Sequence, residues 1–210
     1  MNNLVLYKVI SKFYDLLDVI YFKNDARNPR KALSAYINQT DARILDICTG
    51  TATNAIEIAK HYKTSRIIGI DISREMLQIA KKKVKQVKLN NVRLYKMNAS
   101  DTKFKDSTFD VIVISLVLHE IPLDVAGEIL LEARRILKPE GRLLVMDWEE
   151  PKSSVQKMLF YPVRKLEPKG FEEFLNLDLP DYFQQFGLEV AEIKHCDYTK
   201  VLSIRKATAE

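Results

Sequence analysis

Residues 44–60 read ILDICTGTATNAIEIAK, and how this stretch divides decides the fold. An apolar run carrying Asp46 comes first, as a strand would. A short loop of small residues follows, with a single glycine, Gly50. From Thr53 onward the apolar residues fall at helical spacing. Strand, glycine-bearing loop and helix form the opening unit of an α/β sheet, and the loop is where such sheets hold ligands.

The alternation continues downstream. RIIGID (66–71) reads as a strand and SREMLQIAKKKVKQV (73–87) as a helix, with Ser73 as its cap and Glu75 one place short of a capping box. VRLYKM (92–97) and FDVIVISLVL (109–118) read as strands, the second apolar throughout. LDVAGEILLEARRIL (123–137) is a helix that KPEG (138–141) closes, because proline and glycine both oppose its continuation. RLLVMDW (142–148) is a further strand. The end differs: FEEFLNLDLPDYFQQFG (171–187) reads as a helix, then LEVAEIKHC and YTKVLSIRKA as two strands turning at Asp197. Upstream, Leu6, Val9, Ile10, Phe13, Leu16, Leu17 and Ile20 form one helical stripe, and a second helix starts near Pro29. The expected architecture is a doubly wound, Rossmann-like, mostly parallel α/β sheet with helices on both faces, an antiparallel edge hairpin and an N-terminal helical cap. One domain is expected: cap (1–40), cofactor-binding core (41–150), and acceptor-side helices with the C-terminal strands (151–210).

Composition narrows the function. The chain has 210 residues, 47% hydrophobic and 29% charged, which is ordinary for a soluble domain. Its longest apolar run, at 109–118, is about half of a membrane span, and the N-terminus lacks the pattern of a signal peptide. Cys48 and Cys196 alone make neither a disulfide framework nor a zinc site, and no metal site is expected. A cytoplasmic protein is expected. The net charge of +5 sits largely in KKKVKQVK (81–88), which reads as the solvated face of an amphipathic helix. Nucleic acid is not the expected partner, since aromatic interleaving and recognised motifs are lacking.

The loop itself excludes two nucleotide readings. It lacks the G-x-G-x-x-G of a dinucleotide site and the Lys-Ser or Lys-Thr pair of a P-loop. Asp46 would repel a pyrophosphate but suits a cation. S-adenosylmethionine carries an ammonium and a sulfonium beside its carboxylate. A second acid, Asp71, ends the next strand, where a carboxylate accepts from ribose hydroxyls.

These segments, with NASDTKFKDSTFDVIVISLVLHEIP and EARRILKPEGRLLVMDW, resemble the class I S-adenosylmethionine-dependent methyltransferases over residues 43–148. VISKFYDLLDVIYF further resembles their ubiquinone/menaquinone C-methyltransferase branch. The resemblance implies that Asp46, Thr49, Gly50 and Thr51 line the methionine moiety and that Asp71 holds the ribose. It implies Ile72, Met76, Asn98 and Ala99 at the adenine, Ser115 and Leu116 beneath the cofactor, and Tyr14 closing over it. S-adenosylhomocysteine would be the product. Ala52 and Cys48 depart from the family, Ala52 standing where glycine is usual and Cys48 where glycine or alanine is more frequent. Ala52 is tolerated if φ is negative there and strained if it is positive.

Methyl transfer needs alignment and exclusion of water more than acid–base help. If a base is used, His119 is the best placed, the alternative being a histidine that shapes the pocket by hydrogen bonding. Asp147, Trp148, Glu120 and Glu149, with Phe160, Tyr161 and Arg164, are further acceptor-side candidates. The acceptor is expected to be a small molecule, aromatic or quinone-like. The competing functions are an NAD(P)-dependent reductase, an S-adenosylmethionine-binding protein without turnover, and an RNA-directed methyltransferase using the 81–88 helix. The oligomeric state is not legible.

Overall fold

The computed structural model describes Tyr21, residues 27–167 and residues 170–207. Tyr14 and most of the expected cap lie outside the described residues. Seven strands form one sheet among these residues: β1 (Arg43–Ile47), β2 (Arg66–Asp71), β3 (Val92–Lys96), β4 (Phe109–Ser115), β5 (Leu137–Trp148), β6 (Leu188–His195) and β7 (Thr199–Lys206). Their order is β3-β2-β1-β4-β5-β7-β6. The first five pair in parallel, while β7 runs antiparallel to both β5 and β6. Strand order reverses between β1 and β4, so a crevice opens above their C-terminal ends.

The period-2 alternation of the central strands sorts the core into two layers. Ile44, Val111, Val113, Leu144 and Met146 face one side, with α1 (Pro29–Ala35) and α2 (Thr53–His61) against them. Leu45, Ile47, Ile112, Ile114 and Val145 face the other, with α4 (Leu123–Ile136), α6 (Phe171–Leu175) and α7 (Leu179–Gln184). Between them in sequence lie α3 (Arg74–Gln86) and α5 (Ser154–Leu166). Burying each aliphatic side chain contributes about 1.5–3 kcal/mol, and both faces of β1 and β4 do so.

The boundaries carry several corrections. Asn28 caps α1 through its side-chain oxygen, which accepts from the N–H groups of Arg30 and Lys31. Ser73 caps α3, but Glu75 accepts from the Ser73 hydroxyl and closes no capping box. The apolar run 109–118 stops being a strand at Ser115, because Leu116 turns to φ +54°. The single helix expected over 171–187 is two, α6 and α7, divided where Asp178 caps the second. KPEG ends α4 as expected, yet it bulges out of β5 instead of forming a separate loop: Leu137 pairs with Phe109, and Arg142 with Val111. A methyl on Gly141 would meet Leu137 at 2.7 Å and the Asp110 carbonyl at 3.0 Å, so this bulge requires the missing side chain.

The basic segment 81–88 behaves as a solvated face. Val84 and Leu89 pack onto the core while Lys81, Lys82, Lys85 and Lys88 are exposed. Val87, three residues after Val84, is 42% exposed. Among the described residues, no helix is long and apolar enough to cross a membrane.

Ile112, fully buried at the centre of β4, sets the scale of the core. Ile112→Ala is expected to destabilise the protein by about 2–5 kcal/mol, read as a lower urea midpoint at unchanged slope.

Candidate functional site

The site is built from the first two strand–loop–helix units. The register of β1 on β2 places Asp46 beside Gly69 and Ile47 beside Ile70, so both strands end level and their loops lie side by side. Asp71 closes the gap between them. One carboxylate oxygen accepts from the Gly50 N–H at 2.8 Å and the other from the Ser73 N–H at 2.8 Å. Burial pushes its pKa up, against those backbone donors, which pull it down. The carboxylate remains part of the surface of a cleft of about 330 Å3 over the crevice.

Thr49, Gly50, Thr51, Asp71, Met76, Ser115 and Leu116, all expected at the site, line this cleft. Met76 is half-buried, as a wall residue is, and not a core filler. The others fall elsewhere. Asp46 is 1% exposed and lies beneath the loop, where its Oδ2 accepts from the Thr49 hydroxyl at 2.5 Å. It therefore supports the loop without lining the cleft. Ile72 is 67% exposed at the end of β2. Asn98 is exposed, its side chain accepting from the Ser100 N–H, and Ala99 is buried in the core. Neither borders the cleft, because β3 lies one strand further from the crevice.

The loop departs from ordinary backbone at every second position. Cys48, Gly50 and Ala52 all have positive φ, at 53°, 54° and 63°. For the two non-glycine residues this costs roughly 1–2 kcal/mol each, so the strained alternative for Ala52 is the one realised. The hydrogen bonds from Thr49 N–H to the Ile70 carbonyl, from Gly50 N–H to Asp71 and from Ala52 N–H to the Thr49 carbonyl hold the path. Space ahead of Gly50 is open: nothing lies within 4 Å of where a Cβ would project.

Several residues of the site escaped sequence reasoning. Arg30, at the start of α1, lines the cleft and donates to Asn54, which donates in turn to Ser115. The arginine brings a positive charge into the cleft that Asp71 also lines, and the packing of α1 on α2 places it there. Val117 and Ile121 line the rim after β4 beside Glu120, which was among the acceptor-side candidates. Gly69 contributes by absence: a Cβ there would stand 2.9 Å from Thr49 Oγ1 and 2.8 Å from Leu94. A glycine inside a strand was a signal of close approach that could have been read.

His119 does not border the cleft. It is 2% exposed, its Nδ1 is 2.5 Å from Asp147 Oδ1, and it sits edge-on to Trp148 and Phe171. Burial alone would lower its pKa, but Asp147 and then Glu167 outweigh that and push it up to about 10. Buried away from the cleft and bonded to Asp147, the imidazole has the geometry of a residue that shapes the wall. Asp147 is fully buried too, accepting from the Leu118 and Trp148 N–H groups. Trp148 and Phe160 belong to an aromatic cluster with Tyr21 and Phe171, Tyr161 is exposed, and Arg164 pairs with Glu172. Glu149 is taken by His195 at 2.7 Å.

Similarity along the chain now decides the family. A sequence model of the ubiE/COQ5 methyltransferase family matches residues 3–166. The chain belongs to this family. A demethylmenaquinone methyltransferase of Listeria welshimeri is 32% identical over 179 residues, covering 84% of this chain and 75% of that one. Among solved structures, a SAM-dependent methyltransferase of Aquifex aeolicus superposes with TM-score 0.73 at 22% identity, over 94% of this chain and 97% of that one. The [4+2]-cyclase SpnF superposes at 0.68 and 17% identity, over 90% and 87%. The fold thus houses more than one chemistry, and it is family membership that makes this chain an S-adenosylmethionine-dependent methyltransferase.

The methyltransferase's cleft fits such a cofactor on its own chemistry. Asp46 Oδ1 is buried without a hydrogen-bond partner, so the loop base carries unspent negative character. Burial drives the Asp46 pKa up to about 7, partly offset by Thr49, Arg30 and the Ala55 N–H and reinforced by Asp71. A cation in the cleft would relieve this.

Two expectations follow from the loop. The folded state binds the Asp46 proton more tightly than the unfolded chain, so this group's stabilisation is full below the unfolded pKa of about 4 and lost as pH rises through about 7. Asp46→Asn is expected to flatten the fall in stability of the ligand-free protein between those pH values, measured by denaturant unfolding. Gly69→Ala is expected to push Thr49 off Asp46, destabilising by about 1–3 kcal/mol and weakening ligand binding in the cleft, by calorimetry.

Proposed function

We propose that this methyltransferase binds S-adenosylmethionine in the cleft over β1, β2 and β4 and methylates a small aromatic, quinone-like acceptor in the cytoplasm. The observation that carries the reading is the Asp71 carboxylate, fixed by two backbone N–H groups in an open cleft that Arg30 also lines. Each Asp71 oxygen uses one acceptor site on the backbone and keeps another for a ribose hydroxyl. Arg30, steadied through Asn54, would take the methionine carboxylate by charge-assisted hydrogen bonds. Thr49, Gly50 and Thr51 would lie along the methionine chain, with buried Asp46 supplying negative potential from below. Met76 and the exposed Ile72 would offer apolar surface to the adenine.

When bound, S-adenosylmethionine supplies an activated methyl on a leaving group that needs no protonation. The protein then has to orient the acceptor and keep water out. Leu116, Val117 and Ile121 give the rim after β4 apolar surface beside Glu120, which suits a flat aromatic ring. The demethylmenaquinone methyltransferases among the relatives support an acceptor of that class. Asn98, Ala99 and Tyr14 are not used in this reading, and His119 acts by shaping the wall between the cleft and the aromatic cluster. The single-domain division into cap, core and acceptor side is part of the same proposal.

Calorimetric titration with S-adenosylhomocysteine tests it, with NADH as control. Saturable binding of the first alone is expected, and binding of NADH in its place would overturn the reading. Asp71→Ala is expected to weaken binding at least a hundredfold. It also removes the acceptor for two backbone N–H groups, at about 1.5–3 kcal/mol for each bond to a charged group, so its unfolding midpoint is expected to fall by several degrees. Arg30→Met, which leaves those bonds in place, is expected to weaken binding about tenfold or more at unchanged stability of the sheet.

A further inference from the structure

A second polar centre lies behind the rim of the cleft, and the proposed reaction does not use its unpartnered atom. The His119 side chain is 1% exposed. Its Nδ1 is engaged by Asp147, whereas its Nε2 is buried and has no hydrogen-bond partner among the described residues. Facing Nε2 are Glu167 Oε2 at 3.4 Å and Glu120 Oε1 at 3.8 Å. Without an ion the imidazole's own proton supplies the positive charge facing these two carboxylates, and a buried nitrogen aimed at carboxylates from separate elements is also the donor set of a metal ion.

We propose that His119 Nε2, Glu120 and Glu167 form a binding site for a divalent transition metal ion of the zinc class, with Asp147 as the outer carboxylate that fixes the imidazole. Two donors each about 2.0–2.2 Å from one tetrahedral ion stand about 3.3–3.6 Å apart. The His119–Glu167 separation of 3.4 Å matches that edge, and 3.8 Å to Glu120 matches a slightly opened one. All three ligand atoms lie within 4.8 Å of one another, so closing both carboxylates on one ion asks for a relative side-chain shift of no more than about 1.5 Å. A carboxylate hydrogen-bonded to the far nitrogen of a ligating histidine is the usual outer support of such sites. One imidazole with two carboxylates suits zinc or manganese better than magnesium, which prefers oxygen ligands in an octahedron. The ion takes the place of the Nε2 proton, which leaves to solvent.

The site would keep a position open. His119 and Glu120 also border a cavity of about 340 Å3 that Glu173 and Phe174 complete. Glu120 additionally lines the cofactor cleft, so the ion would stand on the wall shared by the two spaces. The inference does not depend on the identity of the methyl acceptor.

The test is zinc titration of the full-length, chelator-stripped protein, by competition with a chromophoric chelator, with magnesium as competitor. One equivalent of zinc is expected, undisturbed by excess magnesium, and Glu167→Gln is expected to weaken it at least tenfold. His195→Ala is expected to leave the stoichiometry unchanged. Cobalt loaded in place of zinc is expected to show visible absorption that Glu167→Gln removes. Absence of zinc binding, equal affinity in Glu167→Gln, loss of the ion in His195→Ala, or displacement by magnesium would each overturn the proposal. If Glu167→Gln lowers the unfolding midpoint without metal, the same comparison on Glu120→Gln decides it.

Discussion

The carboxylate of Asp71 is the constraint on which the rest of the site depends. It accepts from Gly50 on one loop and Ser73 on the other, so the ends of β1 and β2 are tied by a single side chain. A charged acceptor with two short backbone bonds holds geometry more strictly than packing of small loop residues could. The tie works because the two parallel strands end in register. It also needs Gly69, whose missing side chain lets Thr49 fold back over Asp46. Strand pairing, a bare backbone and a buried acid therefore act as one unit beneath the cleft.

That unit also explains how the loop tolerates residues other than glycine. Three left-handed residues at alternating positions would ordinarily require three glycines, yet only Gly50 is one. The loop path is held by hydrogen bonds to Ile70 and Asp71 and by the bond from Ala52 to Thr49. These bonds offset the strain at Cys48 and Ala52, at roughly 1–2 kcal/mol each. Gly50 is different, because beyond its φ the space before it is empty and belongs to the cleft. A single glycine suffices where backbone approaches a ligand at one point and no pyrophosphate must be cradled.

The charged residues after β4 and β5 show how an acid–base reading can mislead. His119 read as a base or as a hydrogen-bonded shaper of the pocket and Asp147 as an acceptor-side candidate, and in the structure each is buried and engaged with the other. The aromatic cluster of Tyr21, Trp148, Phe160 and Phe171 packs beside them, Trp148 and Phe171 edge-on to the imidazole. Low local dielectric strengthens the pairing, and two carboxylates around one imidazole keep it charged. The contrast with SpnF makes the same point at the level of the fold: the sheet supplies a crevice, and the side chains that reach it determine the chemistry.

By itself, the sequence determined what depends on local period and local chemistry. The alternation of strands and helices, the parallel core, the C-terminal hairpin and the acids ending β1 and β2 are all written in short windows. So is the solvated face of α3. Tertiary structure alone decided which of these residues share a surface. Asp46 and Asp71 read alike in sequence, each ending a strand, yet one is a buried support and the other a wall of the cleft. Arg30 joined the site from 24 residues upstream of Asn54 through helix packing, while Asn98 was left one strand away from it. The reason is that period and propensity are properties of neighbours along the chain. Burial, left-handed φ at a non-glycine residue and the partner of a buried charge depend on contacts between residues far apart in the sequence, which exist only once the sheet has closed.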